Sequence, residues 1–111
     1  MEQKEITPPP HYEKMLYDNA RLVKTYYHLY NLNKNNLIAK EVVDKTINML
    51  MQWYDTNGGF AGNTDASPEE KYYGLINRPI ELKPRLEKTK YTDWNSEAII
   101  TFIYLWNQTN N

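Results

Sequence analysis

Residues 98–106 read AIITFIYLW, nine positions at which the only polar side chain is Thr101. At about 3.6 residues per turn, such a run puts an apolar group on every side of a helix, and a helix apolar all round must be covered all round. Just upstream, Asp93 is an acceptable N-cap and Glu97 stands near the positive helix end, so the spacing predicts a helix over about 93–107. The fold then turns on what the rest of the chain offers as cover.

Two other segments carry the helical period. From Tyr12 onward the apolar positions Leu16, Ala20, Val23, Tyr27 and Tyr30 step by three or four, with Met15, Leu22, Tyr26 and Leu29 widening the stripe. Ahead of them, Pro8, Pro9 and Pro10 force the preceding residues out of helical geometry, and Pro10 itself suits a first helical position. Residues 1–10 therefore read as a tail and 11–32 as a helix. Asn33 to Asn36 (NKNN) supply a turn with Asn36 as N-cap. A second helix over about 36–55 follows, with Ala39, Val43, Ile47, Leu50 and Tyr54 on one face and Asn57-Gly58-Gly59 as its stop.

Two helices joined by a short polar turn make an αα-hairpin, so the expected fold is all-α: a hairpin plus a third helix in one domain over residues 11–111. One hairpin cannot wrap residues 98–106 completely. Either the chain associates with copies of itself, or the sequence belongs to a larger helical array. Between the second and third helices, residues 60–91 are rich in Gly, Asn, Asp, Pro and charge, with only short apolar runs such as KYYGLI (Lys71 to Ile76), and read as a long loop with room for one short β-hairpin.

Composition removes several functional classes. Thirteen basic against 14 acidic side chains, scattered along 111 residues, give no global attraction to nucleic acid or to an anionic membrane. No apolar run approaches the ~20 residues that span a bilayer. With no cysteine, disulfides, thiolate metal sites and Cys-x-x-C redox centres are excluded. The expected location is the cytoplasm. The ten Tyr and three Trp fit either a core or a surface that stacks on flat groups such as sugar rings.

Chemistry could sit on the first helix. Lys14, Asp18, Arg21, Thr25 and His28 recur at helical spacing as one polar stripe, with His11 at its N-terminal end. On a solvated face this stripe would be laced by Lys14–Asp18 and Asp18–Arg21 pairs. Facing a cavity, a carboxylate held between two cations stays ionised and His11 could exchange protons near neutral pH. His11 and Asp18 are then the candidate catalytic groups, with Lys14 and Arg21 as candidate substrate-binding residues. No metal site is expected: DTNGGFAGNTD (Asp55 to Asp65) fails the EF-hand pattern, and the two histidines are too far apart on one helix to share an ion. No cofactor motif is present.

Three blocks carry a family resemblance: PHYEKMLYDNARL (Pro10 to Leu22), GGFAGNTDAS followed by EEKYYGL (Gly58 to Leu75), and KTKYTDWNSEAI (Lys88 to Ile99). In order and approximate spacing they resemble the helical part of the thioredoxin-domain family related to the spermatogenesis-associated thioredoxin-like protein. That part is an (α/α)6 toroid similar to six-hairpin glycosidases and N-acylglucosamine 2-epimerases. The resemblance covers about residues 10–107 and does not include the thioredoxin-like domain. It departs at Asp65-Ala66-Ser67, where the family reads Asp-Ala-Asp. It implies a three-helix segment of the toroid, with His11, Lys14, Asp18, Trp94 and Asn95 near a central funnel. It also implies either homo-oligomerisation or association with the missing family domain, and a sugar as the class of ligand.

Overall fold

The computed structural model describes residues 13–64, 77, 83 and 85–110. Among these the chain is mostly helical, with α1 at Leu16–Leu32, α2 at Leu37–Gln52 and α3 at Thr92–Thr109. Two short strands, β1 at Asn63–Thr64 and β2 at Leu86–Glu87, pair antiparallel with Asn63 opposite Glu87 and Thr64 opposite Leu86. Helix α1 is central and packs against both α2 and α3.

The periodicity of α1 is realised: Leu16, Ala20, Val23 and Tyr27 are its buried residues. Across α2 the buried positions are Ala39, Val43 and Leu50, while Tyr54, expected on the same face, lies beyond the helix and is exposed. The two helices meet through these stripes, and Leu16, Val23 and Leu50 are fully enclosed. Against α3 the contact includes small residues. Ala20 and Ala98 are both buried, and small residues at a crossing let two backbones come close. Thr101, 2% exposed, donates its hydroxyl to the carbonyl of Ala20 at 3.0 Å, which satisfies a polar group that would otherwise be costly to bury.

Three expected boundaries move, two of them because the backbone pairs elsewhere. Helix α1 starts at Leu16, not near residue 11, because residues 14–16 are taken up by strand-like pairing. Met15 is extended (φ −107°, ψ 141°) and bridges Asn63, Leu16 donates to the carbonyl of Gly62 at 2.7 Å, and Thr64 donates to that of Lys14 at 2.9 Å. The 1–10 tail, His11 and Tyr12 lie outside the described residues, as do residues 71–76.

Helix α2 begins where expected, with the side chain of Asn36 accepting from the amide of Ala39 at 3.1 Å. It ends at Gln52 rather than near 55, because Tyr54 bridges Phe60 and Asp55 donates to the carbonyl of Gly59 at 2.8 Å. Gly58 and Gly59, at φ +120° and +98°, therefore turn this tight hairpin instead of capping the helix. Helix α3 begins at Thr92, so Asp93 sits in its first turn rather than at the cap.

Both strands lie within residues 60–91, where a short β-hairpin is expected between the second and third helices, and they pair with each other; most of the residues between them lie outside the described residues.

Candidate functional site

The first turns of α1 and α3 and the Gly-Gly-Phe hairpin converge at one end of the molecule, so the three sequence blocks that lie far apart in the chain meet there. Asn95 is the tie. Its side-chain oxygen accepts from the amide of Phe60 at 2.7 Å, and its nitrogen donates to the carbonyls of Phe60 at 3.0 Å and Tyr91 at 3.1 Å. One amide thus reads both polar groups of the Phe60 backbone, as a neighbouring strand would. A Cβ on Gly59 would stand 2.8 Å from the Asn95 oxygen, and one on Gly62 would stand 2.7 Å from the Tyr91 ring. Close approach requires glycine at both places, and at Gly59 the positive φ requires it as well.

On the α1 side of this end, Trp94 packs on Tyr17 with centroids 5.0 Å apart and on Tyr91 at 4.3 Å. Trp94 and Tyr17 are half-buried, and Tyr91 is more open. The Arg21 guanidinium lies 5.4 Å from the Tyr17 ring and pairs with Glu97 of α3 at 2.8 Å. That hydrogen bond, then the charge of the partner, holds the Glu97 carboxyl below its usual range and raises Arg21. The expected Asp18–Arg21 pair is not formed, because Arg21 reaches across the crossing to α3 instead.

The other expected site residues divide accordingly. Asp18 lies half-buried in the first turn of α1, near Tyr17 and Arg21 in sequence and on the same helix. Lys14 precedes the helix, and its backbone pairs with Thr64, donating to the hydroxyl at 3.2 Å, so it does not continue a helical stripe. Thr25 and His28 are exposed. Asn95 points onto the Phe60 hairpin, not toward Asp18, and His11 lies outside the described residues.

Two hollows adjoin this end. One, of about 350 Å³, is bordered by Gln52, Thr56, Leu86 and Lys88 beside the Lys90–Asp55 ion pair at 2.8 Å. That pair, with the amide of Asn57 donating to the Asp55 carboxylate at 2.9 Å, keeps Asp55 more acidic than usual. The second, of about 470 Å³, is an apolar groove between the end of α2 and the outer face of α3. Phe60 forms part of its wall, stacked on Phe102 at 5.7 Å with an interplanar angle of 7° and edge-on to Tyr54 at 5.2 Å. Met51, Ile99, Ile103 and Trp106 complete it.

The outer face of α3 is bare. Ile99, Ile100 and Ile103 are each more than half exposed and Trp106 is 66% exposed, whereas Ala98, Thr101 and Leu105 face inward. Among the described residues, this all-round apolar helix is thus covered by α1 on one side and by Phe60 at Phe102, and its outer face is left open. The spacing Ile99, Ile103, Trp106 marks that second stripe in the sequence, but nothing there reveals that Phe60, from a loop, would help wall a groove beside it.

Among the described residues, no three His, Asp or Glu side chains gather around a point that could hold a metal ion, and no helix is long and apolar enough to cross a membrane. Comparison of this chain with protein-family models, with curated proteins and with solved structures found no match.

Proposed function

We propose that this chain is a helical assembly module, without catalysis of its own, whose α3 face joins it to further copies of itself. The observation that carries this reading is the unbroken apolar face of Ile99, Ile100, Ile103 and Trp106 left in water. Fully burying a large apolar side chain is worth about 1.5–3 kcal/mol, so a partner on this face gains from several at once. The row α2, α1, α3 is also compatible with a segment of the (α/α)6 toroid that the sequence blocks resemble, where neighbouring hairpins cover such faces. Trp106 reports on the test. The difference in emission between wild type and Trp106→Phe should shift to shorter wavelength as concentration rises. A Trp106 signal that stays that of a water-exposed indole at every concentration contradicts the reading.

A second reading is favoured by one observation, the Tyr17–Trp94–Tyr91 row beside Asp18 and Arg21. Aromatic faces next to a carboxylate and a guanidinium suit a neutral or N-acetylated sugar, with stacking for affinity and polar groups for orientation. His11 and Asp18 would handle protons in an epimerase-like or glycosidase-like version. The titration of such sugars should perturb the emission of wild type and not of Trp94→Phe. No response at about 10 mM ligand, a level that detects even millimolar affinity, removes this reading.

A further inference from the structure

We infer that the bare face of α3 closes on the same face of a second copy, antiparallel about a two-fold axis passing between Phe102 and Ile103. This deepens the assembly reading and rests on it: it names the occupant of the groove and the register of the contact.

Three observations select a second copy over a foreign chain. First, the patch is self-complementary. A protruding Trp106, 66% exposed, stands at one end of a groove that Ile99, Phe60 and Met51 continue toward the other. A closed two-fold interface needs the same patch to present both a ridge and a hollow, because each residue pair occurs twice. With the axis between Phe102 and Ile103, Trp106 meets the partner's Ile99, and Ile103 meets the partner's Phe102. Ile99 and Trp106 lie about 10 Å apart along the helix, so both indoles are accommodated without overlap.

Second, the face carries no charge. Residues 98–110 contain no Asp, Glu, Lys or Arg, and beyond Trp106 the helix ends in Asn107, Gln108, Thr109 and Asn110. Nothing ionic is desolvated when two copies meet, nothing repels, and there is no charge pattern for a foreign partner to recognise. A formal net charge of −1 leaves little long-range repulsion between copies.

Third, the size is adequate. Ile99, Ile100, Ile103 and Trp106 with the exposed Met51 and Tyr54 present on the order of 600 Å² of apolar surface, close to the ~800 Å² each partner buries in a standard interface. That places the pairing among modest, concentration-dependent dimers.

The absence of cysteine makes the register directly readable, since any introduced thiol is the only one in the chain. Ile103→Cys places it beside the axis; Lys45→Cys, on the exposed side of α2, places it away from the face and serves as the control. Both positions are exposed, so helical circular dichroism should match the wild type. Treated with a short bifunctional thiol reagent, Ile103→Cys should form covalent dimer at least tenfold faster than Lys45→Cys. Adding Ile103→Asp to the Lys45→Cys chain should leave a monomer by light scattering. If wild type is dimeric but Ile103→Cys cross-links no faster than the control, the two-fold pairing is wrong and only the assembly reading stands. If wild type is monomeric, both fall. A monomer whose Trp106 is shielded from acrylamide would show the groove filled by this chain's own residues, which also overturns the inference.

Discussion

Asn95 and Gly59 form one contact, and each is explained by the other. The Asn95 side chain substitutes for a strand at Phe60, and Gly59 leaves room for it: a Cβ there would lie 2.8 Å from the Asn95 oxygen. Gly58 has a similarly positive φ, +120°, but open space around it. Both glycines should resist substitution, by unequal amounts. Gly58→Ala is expected to cost about 1 kcal/mol from backbone strain alone, and Gly59→Ala about 2–3 kcal/mol because strain and collision add. Urea unfolding of the two variants separates them, and equal losses would mean that the Asn95 contact is not formed. Asn95→Ala leaves the Phe60 backbone without its partner and should cost about 2 kcal/mol by the same measurement. Asn95→Asp should not restore it, because a carboxylate set against the Phe60 carbonyl repels it. None of this could be read from spacing. The Gly-Gly pair looked like a helix stop, a role it shares in sequence with many turns, and Asn95 stands 35 positions from Phe60, so only the folded backbone brings the two together.

Helices were legible where one apolar stripe sufficed to define them. Leu16, Ala20, Val23 and Tyr27 gave α1 its buried face, and Asn36 gave α2 its cap, worth about 1 kcal/mol. The ends were not legible, because backbone pairing outside the helices overrode them: residues 14–16 join the distant residues 62–64, and residues 54 and 55 join residues 59 and 60 in a tight hairpin. Of the polar stripe, Asp18, Arg21, Thr25 and His28 fall on α1 while Lys14 precedes it, and Arg21 finds its partner on another element. Arg21 pairs with Glu97, and this tie between α1 and α3 has a defined pH signature.

The Glu97 carboxyl titrates below its usual range when folded, so its contribution is intact above the unfolded value of about 4.3 and is lost as pH falls through the lower folded value. The melting-temperature difference between wild type and Glu97→Gln should therefore be constant from neutral pH to about 5 and shrink toward zero below about 4. With the Arg21 side chain 61% exposed, the difference should also shrink in high salt. A difference that grows on acidification would contradict the assigned pair.

At the scale of the whole molecule, the run AIITFIYLW requires more cover than the three described helices provide, and the structure shows where it is missing among the described residues. Ala98, Thr101 and Leu105 are covered by α1, while Ile99, Ile100, Ile103 and Trp106 stay in water. The incomplete cover is thus legible in the sequence, as the number of apolar sides on one helix. The shape of the groove is not, because Phe60 and Met51 from other elements build it. Of the site proposed for a sugar, Asp18 and Arg21 follow from helical spacing and Trp94 from the family resemblance, while its aromatic row depends on Tyr91 and Tyr17, which no spacing rule joins. Sedimentation equilibrium up to about 1 mM chain, enough to populate even a weak dimer, tests the central claim most directly. The account predicts a mass that rises with concentration from 13.2 kDa toward twice that value, and that stays at 13.2 kDa for Ile103→Asp. A wild-type chain that remains at 13.2 kDa throughout would contradict it.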